Sequence, residues 1–542
     1  TKAIDQGGTA SYRLQICATR CACGEYVTAE GYCAACAPGF VALDPLHNAR
    51  CTPCAEGHYC PNATAQLVCD PGRLCLGAAP RASLWEGGPA VSRPPANPRG
   101  ARPRPRGPRA AGALSTPADR GRRHGAPAAT ESVVELSLPE HGPTAGPSVV
   151  SERMPDARSV SVGVWVGVGG RDEDPAVSGA SHFLEHLLFK GTDRRTARAI
   201  AEMVDATGGE MNAFTSKEYT AYYARVTAGG QELATALLAD VIGEPALRTA
   251  DVETERQVIL EELHLQADDP DDVVFELLYE ALFPGHPLGR EVLGSEDSVA
   301  TIARHDLVEF HDHWYRAPNL VVAAAGAVDH HALVEQVGEA FASRTDGMTP
   351  VRAGPSEEPV EARRITRPTE AAHVAWGWRG LRRDDRRRHA LALGIHVLGG
   401  GLSSRLFQTV REEKGLAYNV FASPAGYEDA GVVSVYAGTA PERADELQRV
   451  VADQVAEVAA HGITAEEMDI ARDGFEGSIL LGLEDSGSRM SRLGTSQSLL
   501  GRVVPLDEYV DTLRAVTLDD VNAVLNEVLS PEAVVALVGP TA

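Results

Sequence analysis

The chain has 542 residues, 44% of them apolar and 23% charged, the make-up of a globular protein large enough for two to four domains. Its 75 acidic against 50 basic side chains give a formal charge of −25, which repels nucleic-acid phosphates and disfavours a broad nucleic-acid-binding role. No stretch approaches the ~18–20 consecutive apolar residues of a membrane helix, so no integral membrane segment is expected.

The average hides three unlike parts. Residues 1–80 carry −1 and all 10 cysteines, from Cys17 to Cys75. Such a segment is too short and too poor in large apolar residues for a core of its own, so staples are expected. Two readings compete. Cys33-Ala-Ala-Cys36 and Cys51-Thr-Pro-Cys54 have zinc-ribbon spacing, whereas the even count and the turn-forming Gly57 to Pro61 and Pro71-Gly72 favour disulfides. Asn62-Ala63-Thr64 is a glycosylation sequon, meaningful only in a secreted eukaryotic setting. The first residue is Thr1, so a segment is expected to be missing before it, and no signal-peptide pattern is visible in what is present. Residues 81–130 hold 10 Arg and 9 Pro, for +8, and read as an extended, disordered tether. Residues 131–542 therefore carry −32 and no cysteine.

From residue 131 strands and helices alternate. Val160, Val162, Val164, Val166 and Val168 mark a strand. Helices are predicted across 178–190 and 195–206, strands at 211–215 and 219–227, then helices near 230–242, 250–267 and 271–283. Residues 306–326 align without gaps on 519–539, placing Pro318 on Pro531 and Gly326 on Gly539 at an offset of 213. That repeat predicts two related domains, 131–345 and 346–542.

The sharpest motif is "SHFLEHLLFKGT", in which His182, Glu185 and His186 lie at i, i+3 and i+4. A helix puts all three on one face. Two imidazoles a turn apart can hold Zn²⁺, and the carboxylate beside them can take a proton from metal-bound water. The order His-x-x-Glu-His is the inverse of the commoner zinc-peptidase pattern. A third ligand is needed, and "DVETERQVILEELHL" offers Glu255 and Glu262, two helical turns apart on one face. Glu261 and His264 point elsewhere on that helix and read as solvated surface.

With Glu262 lying 76 residues beyond His186, the pattern resembles the pitrilysin/insulinase family of zinc peptidases. It is most similar to the mitochondrial processing peptidase β-subunit and its short bacterial relatives. The likeness runs through "GGEMNAFTSKEYTAYYARV", "ERQVILEEL", "HPLGREVLGSEDSV" and "GGGLSSRLFQTVREEKGLAYNVFAS", covering essentially 131–542. It implies an α+β fold of two homologous domains, each with a mainly antiparallel sheet packed against helices. His182, His186 and Glu262 would bind one Zn²⁺ per chain, Glu185 would be the general base, and Glu255 the additional acid behind the site. Metal-bound hydroxide would attack the scissile carbonyl, and Glu185 would deliver the proton to the leaving amine. Asn212 and Ala213 match the family's edge strand, on which an extended peptide substrate lies as an added strand. Arg411 and Tyr418 match its Arg/Tyr pair for substrate carbonyls and the tetrahedral intermediate. The second domain lacks the motif: Phe475 stands at the offset of Glu262, and His396 has no partner Glu-His. No zinc is expected there.

Tyr222 and Tyr223 read as sheet packing, His311 and His313 as lying on different helix faces, and His330-His331 as surface. Ser403-Ser404 has no local base that would make a serine nucleophile. The resemblance implies a homodimer or a heterodimer with a related subunit, since larger members close four such domains around a chamber. A chamber this acidic suits basic, presequence-like peptides. The rival readings are a non-catalytic assembly subunit of the core-protein type and an extracellular protein dominated by its Cys-rich module. On compartment the parts disagree: the body resembles mitochondrial-matrix or bacterial enzymes, and the Cys-rich module points to a secretory lumen.

Overall fold

The structure, a computed structural model, describes residues 133–137, 146–344 and 346–540, and before them only the backbone of eight short strands between Glu25 and Leu84. Those strands pair locally into antiparallel ribbons, such as Glu25–Val27 with Cys33–Ala35. The bonding of the cysteines and the tether expected at 81–130 lie outside the described residues.

The unit Arg122–Ala542 holds two large sheets. In the first, strands β1 (Val133–Ser137), β2 (Ser148–Arg153), β3 (Ser159–Val166), β4 (Glu210–Thr215), β5 (Thr220–Thr227) and β6 (Leu320–Gly326) lie in the order β4-β5-β3-β6-β2-β1. The second contains β7 (Arg364–Thr366), β8 (Ala372–Arg379), β9 (Ala417–Gly426), β10 (Gly431–Thr439) and β11 (Val534–Gly539), in the order β7-β11-β8-β10-β9. Apart from β1 the two orders are the same, read from opposite ends. Each sheet is antiparallel except for one parallel pair, β2 with β6 and β7 with β11. The 213-residue repeat thus appears as a repeated topology.

The expected helices form close to their predicted bounds: α1 (Ala180–Leu188), α2 (Ala197–Asp205), α3 (Gln231–Gly243), α4 (Thr249–Asp268) and α5 (Pro270–Leu282). Asp269 and Pro270 separate the last two, because Pro fits the first turn of a helix and disfavours the α conformation in the residue before it. The valines of β3 face a core that takes Phe183, Leu184, Leu187 and Leu188 from α1.

The opposite faces of the sheets are not left to water. Trp165 and Ala323, on the other side of the first sheet, pack against Met490 and Leu493 of the Ser486–Leu500 helix, which belongs to the second half of the sequence. Reciprocally, Val274, Leu277 and Leu278 of α5 cover Ala375, Ala536 and Val538 on the second sheet. Each half therefore lends the other a helix. Close approach is secured by one glycine on each side. A Cβ on Gly494 would overlap the Trp165 indole, and one on Gly377 would meet Leu282 at 2.8 Å and Leu278 at 2.9 Å.

One expectation is corrected here. His330 is not at the surface: its Nε2 and Nδ1 each lie 2.9 Å from a serine hydroxyl, Ser137 and Ser151, so it ties the next helix to β1 and β2. A polar residue that opens a helix reads as surface unless the serines across from it are known.

Ala at residue 494 should favour the helix by about 1 kcal/mol, yet the overlap with a fully buried indole wins. Gly494→Ala and Gly377→Ala are each expected to destabilise the fold by about 1–3 kcal/mol, read as lower midpoints in denaturant melts. Unchanged midpoints would show that the exchanged helices are not tightly packed.

Candidate metal centre

Two helices build the site. In α1 the apolar residues take one face, which leaves His182, Glu185 and His186 together on the other. In α4 the buried stripe is Val252, Glu255, Arg256 and Ile259, so Glu255 and, two turns further on, Glu262 are turned toward α1. Arg256 crosses the same contact, with its guanidinium 5.5 Å from the Phe183 ring centroid.

His182, His186 and Glu262 offer three ligand atoms that all lie within 4.8 Å of one another. One carboxylate oxygen, Glu262 Oε2, stands 3.4 Å from His186 Nε2 and 3.7 Å from His182 Nε2. Tetrahedral zinc with bonds of ~2.0–2.1 Å requires ligand atoms about 3.3–3.4 Å apart, so the donor set fits the metal in both chemistry and spacing. Burial, then the neighbouring His186, pushes the His182 imidazole down to about 4, which keeps it neutral and able to ligate at pH 7. The Glu262 side chain is 38% exposed, leaving the cluster open on that side.

Behind this cluster, His186 Nδ1 donates to Glu255 Oε2 at 3.2 Å, and Lys190 Nζ lies 2.6 Å from Glu255 Oε1. A carboxylate on the far nitrogen fixes the tautomer with Nε2 free for a metal. Beside them Thr215 Oγ1 donates to Glu185 Oε2 at 2.5 Å. Burial raises the Glu185 carboxyl above its usual range, while this hydrogen bond opposes the rise. Below lies the buried Tyr222–Tyr315 hydroxyl pair, 2.9 Å apart, as expected for a packing tyrosine.

Lys190 and Thr215 were not singled out from the sequence. Lys190 carries a signal, lying four residues after His186 at the end of the helix expected over 178–190, although α1 itself closes at Leu188. Thr215 had a weaker one: it shares a strand face with Met211 and Ala213, the face turned toward α1.

Asn212 and Ala213 lie on β4, the edge of the first sheet, and the Ala213 N–H donates to Asn212 Oδ1 at 2.8 Å. Arg411 and Tyr418 are brought to each other, the guanidinium 5.0 Å from the phenol ring and 4.7 Å from that of Phe407. Tyr418 sits where the β9–β10 register slips by one residue, and this bulge leaves its side chain 84% exposed. Among the described residues, no hydrogen bond, ion pair or ring contact joins that pair to the metal cluster. In the second half His396 packs on Phe475, the residue at the 213-residue offset from Glu262, with ring centroids 4.9 Å apart.

The family description "Insulinase (Peptidase family M16)" matches residues 148–296, and "Peptidase M16 inactive domain" matches 301–475. An uncharacterized zinc protease of Mycobacterium tuberculosis is 46% identical over 400 residues, which span 73% of this chain and 91% of that protein. The chain belongs to the insulinase family, M16. The uncharacterized zinc protease YmxG of Bacillus subtilis is 37% identical over 73% of this chain and 97% of its own length. A protease from Helicobacter pylori shares the fold, with a TM-score of 0.69 at 22% identity over 76% of this chain and 100% of that one. A "peptidase M16 inactive domain" from Pseudomonas fluorescens does so with a TM-score of 0.68 at 23% identity, over 76% and 98%. No helix among the described residues is long and apolar enough to cross a membrane.

Glu255→Gln is expected to weaken zinc binding about 10- to 100-fold in competition with a chromogenic chelator. Wild-type affinity in that variant would remove Glu255 from the support of His186.

Proposed function

We propose that the chain is a zinc-dependent endopeptidase that hydrolyses peptide bonds in extended, basic peptides. The observation that carries this reading is the convergence of His182, His186 and Glu262, with the partly buried Glu185 beside them. A bound zinc supplies a Lewis acid for the scissile carbonyl and makes a water acidic enough to be deprotonated near neutral pH.

The chain's own residues supply the rest. Thr215 holds Oε2 of Glu185, which leaves Oε1 as the acceptor for the proton of the attacking water. A carboxyl raised by burial is then able to pass that proton to the nitrogen of the leaving amine. The substrate adds to β4 as a further antiparallel strand, and its backbone displaces the Asn212 carboxamide from the Ala213 N–H. Arg411 and Tyr418 donate to substrate carbonyls from the second half. The second half positions peptide and binds no metal, and two copies of the chain complete the enclosure. Against the rival reading, an assembly subunit without catalysis, speaks the convergence of three possible metal donors, one of them hydrogen-bonded to Glu255. The charge of −32 on residues 131–542 favours cationic substrates.

Glu185→Gln should retain zinc and lose turnover by roughly 10²–10⁴-fold. Thr215→Val, which removes one hydrogen bond to a charged group, should lower kcat on the order of 10- to 100-fold. Hydrolysis that persists in zinc-loaded Glu185→Gln contradicts the mechanism. An Arg-rich peptide should be cut faster than its Arg-free counterpart, and added salt should narrow the difference. Equal rates at all salt concentrations would remove the substrate preference.

A further inference from the structure

The metal-binding helix starts without a cap of its own. Gly179, the residue before it, has φ of 94°, and a Cβ there would lie 2.5 Å from the Leu293 carbonyl oxygen. Ser, Thr, Asp and Asn, the usual cap residues, are thereby excluded from this position. The first-turn N–H groups still need acceptors. Glu173 supplies them from outside the helix: Oε2 accepts from Gly179 N–H at 2.6 Å and Oε1 from Ser181 N–H at 2.7 Å. Its side chain is buried, and among the described residues no cation forms an ion pair with it. Arg290 instead fixes its backbone, donating to the Glu173 carbonyl at 2.8 Å.

The two histidines are supported unequally. His186 is held at its ring by Glu255, whereas His182 Nδ1 is buried with no hydrogen-bond partner among the described residues. His182 lies in the first turn, so its place depends on the backbone that Glu173 anchors. We propose that Glu173 is a positioning residue of the peptidase site, whose carboxylate fixes the first turn of α1 so that His182 meets Glu262 together with His186. This rests on the zinc-peptidase reading and assigns a role to a residue outside the motif. Burial pushes the Glu173 carboxyl up to about 7 against the pull of its two N–H donors. A carboxyl raised in this way stabilises the fold when protonated and loses that contribution as pH rises through about 7.

The test compares Glu173→Gln with Glu152→Gln in the full chain. Glu152, on β2, is equally buried and is ion-paired with Arg489 of the Ser486–Leu500 helix. In Glu173→Gln an amide –NH₂ faces one of the two N–H donors, so zinc affinity should fall roughly 10- to 100-fold and kcat should drop with KM within about twofold. Glu152→Gln should lower the melting temperature while leaving zinc affinity and kcat as in the wild type. Glu173→Gln with wild-type zinc affinity and kcat, or with losses matched by Glu152→Gln, overturns the proposal. Should Glu173→Gln not fold, Glu173→Asp, which keeps the charge but shortens the reach, should show intermediate zinc affinity, and wild-type affinity there overturns it equally. A wild-type chain that neither binds zinc nor cuts peptide would instead defeat the peptidase reading.

Discussion

The contact between α1 and α4 is the interaction on which the candidate site depends. Neither helix holds a complete donor set: α1 brings two imidazoles and a carboxylate, and α4 brings the third donor and the carboxylate behind His186. What presses them together is ordinary packing, with Phe183, Leu184 and Ile259 sharing one core and Arg256 laid across Phe183. The polar groups meet because they stand at helical spacing from those apolar ones. A slide of one residue along either helix would part Glu262 from both histidines.

That contact is held within a wider frame. Through Asp269 and Pro270, α4 passes directly into α5, which is seated on the second sheet. The Ser486–Leu500 helix makes the return exchange. Between the halves, Arg171, itself paired with Glu218 at 2.6 Å, joins Asp429 at 2.9 Å, Arg352 joins Asp172 at 2.7 Å, and Arg383 pairs with Glu218. Buried ion networks add little net stability over apolar packing, but breaking one partner is costly. Their effect here is to fix one relative orientation of the two sheets, and so of β4 and β9, the edge strands that carry Asn212, Ala213 and Tyr418.

Much of this was legible in the sequence. The valine alternation of β3, the helix bounds and the 213-residue repeat follow from local periodicity, which a single chain displays. The clustering of the candidate residues was legible because His182 and His186 are a turn apart and Glu255 and Glu262 two turns apart. Residues whose partners are distant in sequence were hidden. Thr215 reaches Glu185 across 30 residues, His330 reaches Ser151 across 179, and the exchange of α5 for the Ser486–Leu500 helix spans the whole body. Bulge geometry was equally invisible: Tyr418 stands near the start of β9, where the register slip between Ala417 and Asn419 turns it outward.

Anomalous diffraction at the zinc edge from crystals of the zinc-loaded chain tests the central claim most directly. The account predicts one peak in the body of the protein, bonded to His182 Nε2, His186 Nε2 and Glu262, with Glu185 unbonded beside it. A peak bonded to other side chains, or no peak at this cluster when zinc is in excess, would contradict it.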